Sequence, residues 1–231
     1  MTRASRARRR VDGIVLHLRD FQDSHRIVEF LTLEEGKISM IARGARASRK
    51  RFAGILDQFN SLSAVVSPGR ELWSVFEVSP LRLRLSLRRD LDAMGRAQRI
   101  IEWSRVLSSE QEVSPNFYQF INHALDLVDE GKLARAVAVY PRLLAEAGIM
   151  PYVGRCARCH CVFSADRRGS LGAGIGLICD RCVSGSNSLS WESIKVLQGG
   201  RCENGRIADE VEAFLSRWLE QEVGVTLKVR V

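Results

Sequence analysis

VDGIVLHLRDFQDSHRIVEFLTLEEGKISMIARG at residues 11–44, with LSAVVS at 62–67 and LWSVFEVS at 72–79, decides the fold of the first part of the chain. Apolar residues recur there in short runs rich in Val, Ile and Phe: VDGIVLHL, RIVEFLTL, KISMIARG, LSAVVS and LWSVFEVS. Each has the length of a strand, and helical periodicity is weak. EEGK at 34–37 and SPGR at 67–70 are tight-turn signals. A longer connection, Gly44 to Asn60, follows the third run. Five strands with one long connection after the third fit a small closed barrel. The five-stranded oligonucleotide-binding (OB) barrel is the common nucleic-acid case, and an SH3-like barrel gives the same pattern.

From Asp90 the period becomes helical. Leu91, Met94, Ile100, Ile101, Trp103 and Leu107 form one amphipathic stretch. Ser114 followed by Pro115 starts a second helix, with Phe117, Phe120, Ile121 and Leu125 on its apolar face and Gly131 as its stop. Residues 133–147 read as a third, in which Pro141 predicts a kink or a break. Residues 154–188 are rich in Gly, Cys and Ser without helical period, and two more helices follow, Ser190 to Leu197 and Ile207 to Glu222. The expected class is α+β: a basic tail over 1–10, an OB-fold domain over 11–80, and a helical domain over 81–231 with an insertion at about 154–188.

The chain has 231 residues and a net charge of +8. Residues 1–90 hold 18 Lys and Arg against 10 Asp and Glu, whereas residues 91–231 hold 17 of each. An excess confined to the first part points to a polyanionic partner, with nucleic acid leading over membrane surfaces and acidic proteins. No run approaches the roughly 18 apolar residues of a membrane helix. The start, MTRASRARRRVDG, lacks the apolar core of a secretory signal and reads as a disordered basic tail of a cytoplasmic protein. The six cysteines are then expected to serve metal or to remain thiols.

Cys156, Cys159, Cys179 and Cys182 form two C-x2-C pairs separated by nineteen residues. That spacing suits a four-cysteine structural zinc site, closed to further ligands, with two knuckles joined by a hairpin. Gly169, Gly172, Gly174 and Gly176 suit the hairpin. His160 and Cys161, next to the first knuckle, could replace a ligand, and Cys202 is a further thiol.

The long connection carries Arg43, Arg46, Arg49, Lys50 and Arg51 with no acid before Asp57. Several cations on a Gly/Ala/Ser-containing loop suit phosphates spaced along a strand. Phe52 adjoins them as a candidate base-stacking residue, while Phe21, Phe59, Trp73 and Phe76 are expected to be mainly core. Arg82, Arg84, Arg88 and Arg89 form a second basic group near the end of the barrel segment. No hydrolase, zinc-protease or phosphate-loop motif occurs, so no catalysis is expected. A zinc-ribbon module binding RNA or a ribosome is the alternative.

RDFQDSHRIVEFLTLEEGKISMIARGARASRKRFAGILDQF at 19–59 resembles the RecO family of bacterial DNA repair and recombination mediators. The likeness continues through ELWSVFEVS, LLAEAGIMPYVGRCARC and LICDRC to the final LKVRV. The resemblance implies an N-terminal OB domain, a helical domain and an embedded zinc ribbon. It implies binding of single- and double-stranded DNA, annealing of complementary strands, and loading of RecA, with RecR, onto DNA coated by single-strand-binding protein. Its residues map to Arg26, Gly36, Lys37, Gly44, Ala45 and Arg46, and its metal ligands to Cys156, Cys159, Cys179 and Cys182. The helical domain is then expected to receive the acidic tail of the single-strand-binding protein, and KLARAVAVYPR offers Lys132, Arg135, Tyr140 and Arg142. A cytoplasmic, nucleoid-associated location follows from the same resemblance.

Overall fold

The computed structural model describes residues 7–48, 51–52, 54–108, 113–172, 174–183 and 188–224. Five strands, β1 (Arg9–Phe21), β2 (His25–Thr32), β3 (Gly36–Ala42), β4 (Ser61–Ser67) and β5 (Trp73–Arg82), close a barrel in the order β1-β2-β3-β5-β4. All neighbours are antiparallel except β3 and β5, which run parallel through Met40↔Trp73, Ile41↔Ser74 and Ala42↔Val75. That order and that parallel pair are OB-like, which settles the choice against an SH3-like barrel. β1 starts two residues before the expected Val11, because Arg9 and Arg10 already pair with Val66 and Val65.

Alternation sets the faces. In β3, Ile38, Met40 and Ala42 point inward while Lys37, Ser39 and Ile41 stay half-buried on the outside. They join Val15, Val28, Phe30, Leu62, Ala64 and Val66 in one core, closed by Phe52 and Leu56 from the β3–β4 connection. The β2–β3 turn is held by buried Thr32, whose hydroxyl donates to the Gly36 carbonyl at 3.0 Å and accepts from the Glu35 N–H at 2.9 Å.

A short 3-10 turn (Leu85–Arg88) leads into α1 (Leu91–Leu107), whose first turn is capped by the Asp90 carboxylate accepting from the N–H groups of Asp92 and Ala93. The end of α1 is fastened to the barrel. Lys37 Nζ donates to the Arg105 carbonyl at 3.0 Å, and the Arg105 guanidinium makes a two-pronged pair with Glu29 at 2.6 and 3.0 Å. The compact unit holding the barrel runs through Leu125 and includes most of α2 (Pro115–Asp129).

Arg84 completes this unit from inside. Its side chain is 2% exposed, and its guanidinium donates to the Phe59 carbonyl, to Ser61 Oγ at 3.0 Å, and to the Asn122 carbonyl and Oδ1 at 3.2 and 2.9 Å.

The second unit, from Asp126 on, holds α3 (Leu133–Val137), α4 (Tyr140–Glu146), β6 (Gly169–Gly172), β7 (Gly176–Cys179), α5 (Trp191–Leu197) and α6 (Gly205–Val223). The stretch 133–147 is two helices, with Pro141 in the first turn of α4, where its missing N–H costs nothing. α6 buries Ala208, Val211, Phe214, Leu215, Trp218 and Leu219 along one face. Trp218 donates its indole N–H to the Ile149 carbonyl at 2.6 Å. Among the described residues, no helix is long and apolar enough to cross a membrane.

Two outcomes are expected from the first unit. Arg84→Ala removes the guanidinium donor from the Phe59 and Asn122 carbonyls and from Ser61, and lowers unfolding free energy by about 2–4 kcal/mol in urea titrations. Tyr118 is pushed up to about 12, by burial first and then by Asp12 and Glu34, against the pull of Arg84. The folded state therefore keeps the Tyr118 proton where the unfolded chain has lost it. This contribution to stability is full below the ordinary tyrosine value near ~10 and is lost as pH rises through about 12. Tyr118→Phe should flatten that alkaline fall in the urea midpoint.

Candidate metal centre and nucleic-acid interface

β6 and β7 form a hairpin from Gly169↔Cys179 to Gly172↔Gly176. The segment before it lies alongside β7, since Leu177 donates its N–H to the Tyr152 carbonyl at 2.9 Å and accepts at its own carbonyl from Ala157 N–H at 2.8 Å. Gly176 makes this approach possible: its φ is +98°, and a Cβ there would come within 2.5 Å of the Tyr152 oxygen. The first cysteine pair follows that segment and the second starts at the end of β7. The sulfurs of Cys156, Cys159, Cys179 and Cys182 consequently lie within 4.8 Å of one another.

The donor set fits a thiophilic cation. Cys156 is fully buried, and burial alone would push its thiol up; the N–H groups of Cys159, Cys179 and Arg158, at 3.5, 3.3 and 3.4 Å from its sulfur, outweigh burial and hold it at about 6. Cys182 is pushed up to about 12, by neighbouring Cys159 first and by burial next. Thiolates packed this tightly repel one another, and a metal ion among them removes that penalty. The alternative ligands fall away. His160 sits in a left-handed turn (φ 60°) outside the sulfur cluster, and buried Cys202 contacts the Asn204 carbonyl at 3.6 Å. Cys161 is also outside the four, although its thiol is pushed up to about 11 by burial and by Cys159 and Cys179.

The basic connection is fixed to the β1–β2 turn at its start. Gly44, with φ +70°, donates its N–H to His25 Nδ1 at 3.2 Å, and Arg46 N–H donates to the Ser24 carbonyl at 3.2 Å. Arg51 reaches back to the Arg43 carbonyl at 3.0 Å. A cleft of about 170 Å³ is lined by Arg26, Ala45, Arg46, Ser48, Phe52, Gly54 and Leu56. Asp20 organises it, pairing with Arg26 at 3.2 Å and Arg46 at 3.7 Å. Nothing in the sequence signals this role for Asp20, because neither arginine adjoins it in the chain.

The cations named from sequence separate on inspection. Arg26, Arg43, Arg46 and Arg51 share this end of the barrel; Arg49 and Lys50 lie outside the described residues. Lys37 is half-buried and donates to the Arg105 carbonyl, and Arg84 is buried and offers no surface charge. Arg88 pairs with Asp57, while Arg82 and Arg89 are exposed. Phe52 is 2% exposed, which corrects its reading as a stacking platform. In the second unit the expected pocket loses Tyr140, which is fully buried with its hydroxyl donating to Glu212 at 3.2 Å. Lys132 and Arg135 are exposed but paired with Glu130 and Glu203, both at 2.7 Å, and Arg142 is exposed.

The chain thus combines an OB-like barrel with a cationic connection and a helical region whose four clustered cysteines could hold a metal ion. The family described as Recombination protein O N terminal matches residues 7–84, and Recombination protein O C terminal matches residues 88–230. The DNA repair protein RecO of Anaeromyxobacter dehalogenans is 37% identical over 183 residues, 77% of this chain and 72% of that one. That of Symbiobacterium thermophilum is 31% identical over 229 residues, covering 90% of each, and that of Geobacter sulfurreducens 30% over 199 residues, 84% and 79%. The chain belongs to the RecO family of DNA repair proteins.

The metal site predicts its own test. Fresh protein should carry about one tetrahedral metal ion per chain, and Cys179→Ser should abolish it. Exchange protection of the 169–179 amides should fall with it, because the hairpin has little core of its own.

Proposed function

We propose that this chain binds single- and double-stranded DNA without sequence preference, anneals complementary strands, and with RecR helps RecA onto DNA coated by single-strand-binding protein. The observation that carries the reading is the basic connection of the barrel, held by its backbone to the β1–β2 turn so that Arg26, Arg43, Arg46 and Arg51 gather at one end. Backbone anchoring fixes where the loop sits while the guanidinium groups stay able to follow phosphates. Its role is that of a binding mediator and not of an enzyme. Family membership favours DNA over the RNA or ribosome alternative. The metal is Zn²⁺, the ion that four thiolates in a closed cluster select, and its part is structural.

The acidic tail of single-strand-binding protein is taken by the helical part, with Lys132 and Arg135 exchanging their partner carboxylates for those of the tail and Arg142 beside them. Tyr140 takes no part, being buried.

Strand annealing of complementary oligonucleotides, with and without single-strand-binding protein, tests the whole reading: a mediator anneals the coated strands, and a plain RNA binder does not. For the loop, contact by four or five cations gives log affinity for single strands a slope of roughly −3 against log salt. Replacing Arg46, Arg49, Lys50 and Arg51 together by Ala should flatten the slope and weaken all sequences alike.

A further inference from the structure

The basic loop offers charge without an exposed ring, since Phe52 faces the core. Phosphate contacts alone do not distinguish a single strand from a duplex. An aromatic ring, Phe76, stands instead on the outside of β5, one residue past the last β3–β5 pair. The last paired positions of the parallel β3–β5 contact are Ala42↔Val75, both buried, so the next residues along the two strands are Arg43 and Phe76. Phe76 is half-buried, and the guanidinium of Arg8 lies over its ring, 3.9 Å from the centroid. Arg10, next but one along the start of β1, is exposed and donates to Ser63 Oγ at 3.5 Å.

Phe76 is the extra residue of a β-bulge, since β4 pairs Val66 with Val75 and Val65 with Glu77, and a bulge of this kind re-aims a side chain away from the regular face. One face of the ring is covered by the Arg8 guanidinium, a contact between a cation and an aromatic surface. An unpaired base offers that ring a larger π surface than a guanidinium does. When the base arrives, Arg8 loses nothing by leaving, because the flanking phosphate gives it a stronger, charge-assisted partner.

We propose that Phe76, covered by Arg8 in the free protein, is a base-stacking step beside Arg43 that accepts an unpaired base of single-stranded DNA while Arg8 moves to an adjoining phosphate. This rests on the DNA-binding reading above and adds a contact that a duplex, with its bases already stacked, cannot use. It makes the barrel selective for single strands, which cation contacts alone do not.

The full chain is titrated, by fluorescence anisotropy, into a labelled oligothymidine, an abasic oligonucleotide of equal length and a duplex. Wild-type protein should prefer the oligothymidine over the abasic strand. Phe76→Leu, which keeps an apolar side chain of similar reach without the π face, should remove that preference by lowering oligothymidine affinity about 5- to 100-fold while abasic and duplex binding stay unchanged. Arg8→Ala should reduce the single-strand salt slope by about 0.7 and retain the preference for bases. A Phe76→Leu protein that still prefers the oligothymidine overturns the proposal, as does a uniform loss on all three probes, which assigns Phe76 a purely structural role. Wild-type protein that binds none of the probes overturns the DNA reading itself, and this proposal with it.

Discussion

The barrel closes because its third strand pairs with its fifth, in parallel, and not with its fourth. That single pairing dictates the connection that follows. A chain leaving β3 at Ala42 must cross the end of the barrel to enter β4 at Ser61, between β1 and β5. Such a crossing has two obligations: to cover the apolar end of the core and to satisfy its own backbone. Phe52 and Leu56 meet the first. The second is met where Phe59 N–H donates to the Val15 carbonyl at 3.0 Å, Val15 N–H donates to the Asn60 carbonyl at 2.9 Å, and Asn60 Nδ2 donates to the Ile55 carbonyl at 3.0 Å. Arg43, Arg46 and Arg51 precede Phe52 in the connection and are exposed, with Arg51 also satisfying the Arg43 carbonyl. They are left at the surface, and the topology of the barrel creates the cationic site as a consequence.

The second unit solves a similar problem by different means. The cysteine hairpin is too short to bury much apolar surface, and β6 and β7 pair over only four positions. Two N–H···O bonds through Leu177 align it with the preceding segment, and three N–H groups point at one sulfur, Cys156. These N–H groups stabilise a thiolate, and a thiolate among three further sulfurs calls for a cation. A metal ion held there would replace the core that the loop lacks.

Strand runs, turn positions, the Pro141 break and the four cysteines were legible in the sequence because each rests on local chemistry: alternation, a missing N–H, a fixed ligand spacing. What was not legible depends on neighbours distant in the chain. Arg84 has the same side chain as exposed Arg82, yet it serves three carbonyl and amide oxygens and a hydroxyl inside the unit, because Phe59, Ser61 and Asn122 converge there. Lys37 reads as a turn cation until the end of α1 is brought over it. Phe52 and Phe76 both stand near cations in the folded chain, but Phe52, on the crossing, is buried, whereas Phe76, at the register shift between β4 and β5, is half-buried. Tyr140 follows the same logic, since its burial depends on Glu212, a residue of α6.

Asp20 poses the remaining question, because a carboxylate beside a proposed phosphate site looks like a liability. Its effect depends on exposure. Asp20 and Arg46 are exposed and Arg26 is half-buried, and an ion pair so accessible to solvent contributes only about 0–1 kcal/mol. The carboxylate therefore costs little to displace. What it does supply is direction: without it, two long side chains would sample many rotamers, and each would have to be ordered when a ligand binds. With Asp20 between them, Arg26 and Arg46 already converge on one cleft. In the binding proposed above, a phosphate takes over a geometry that the acid has held in place, and it does so as a stronger partner, since its oxygens can engage both guanidinium groups at once.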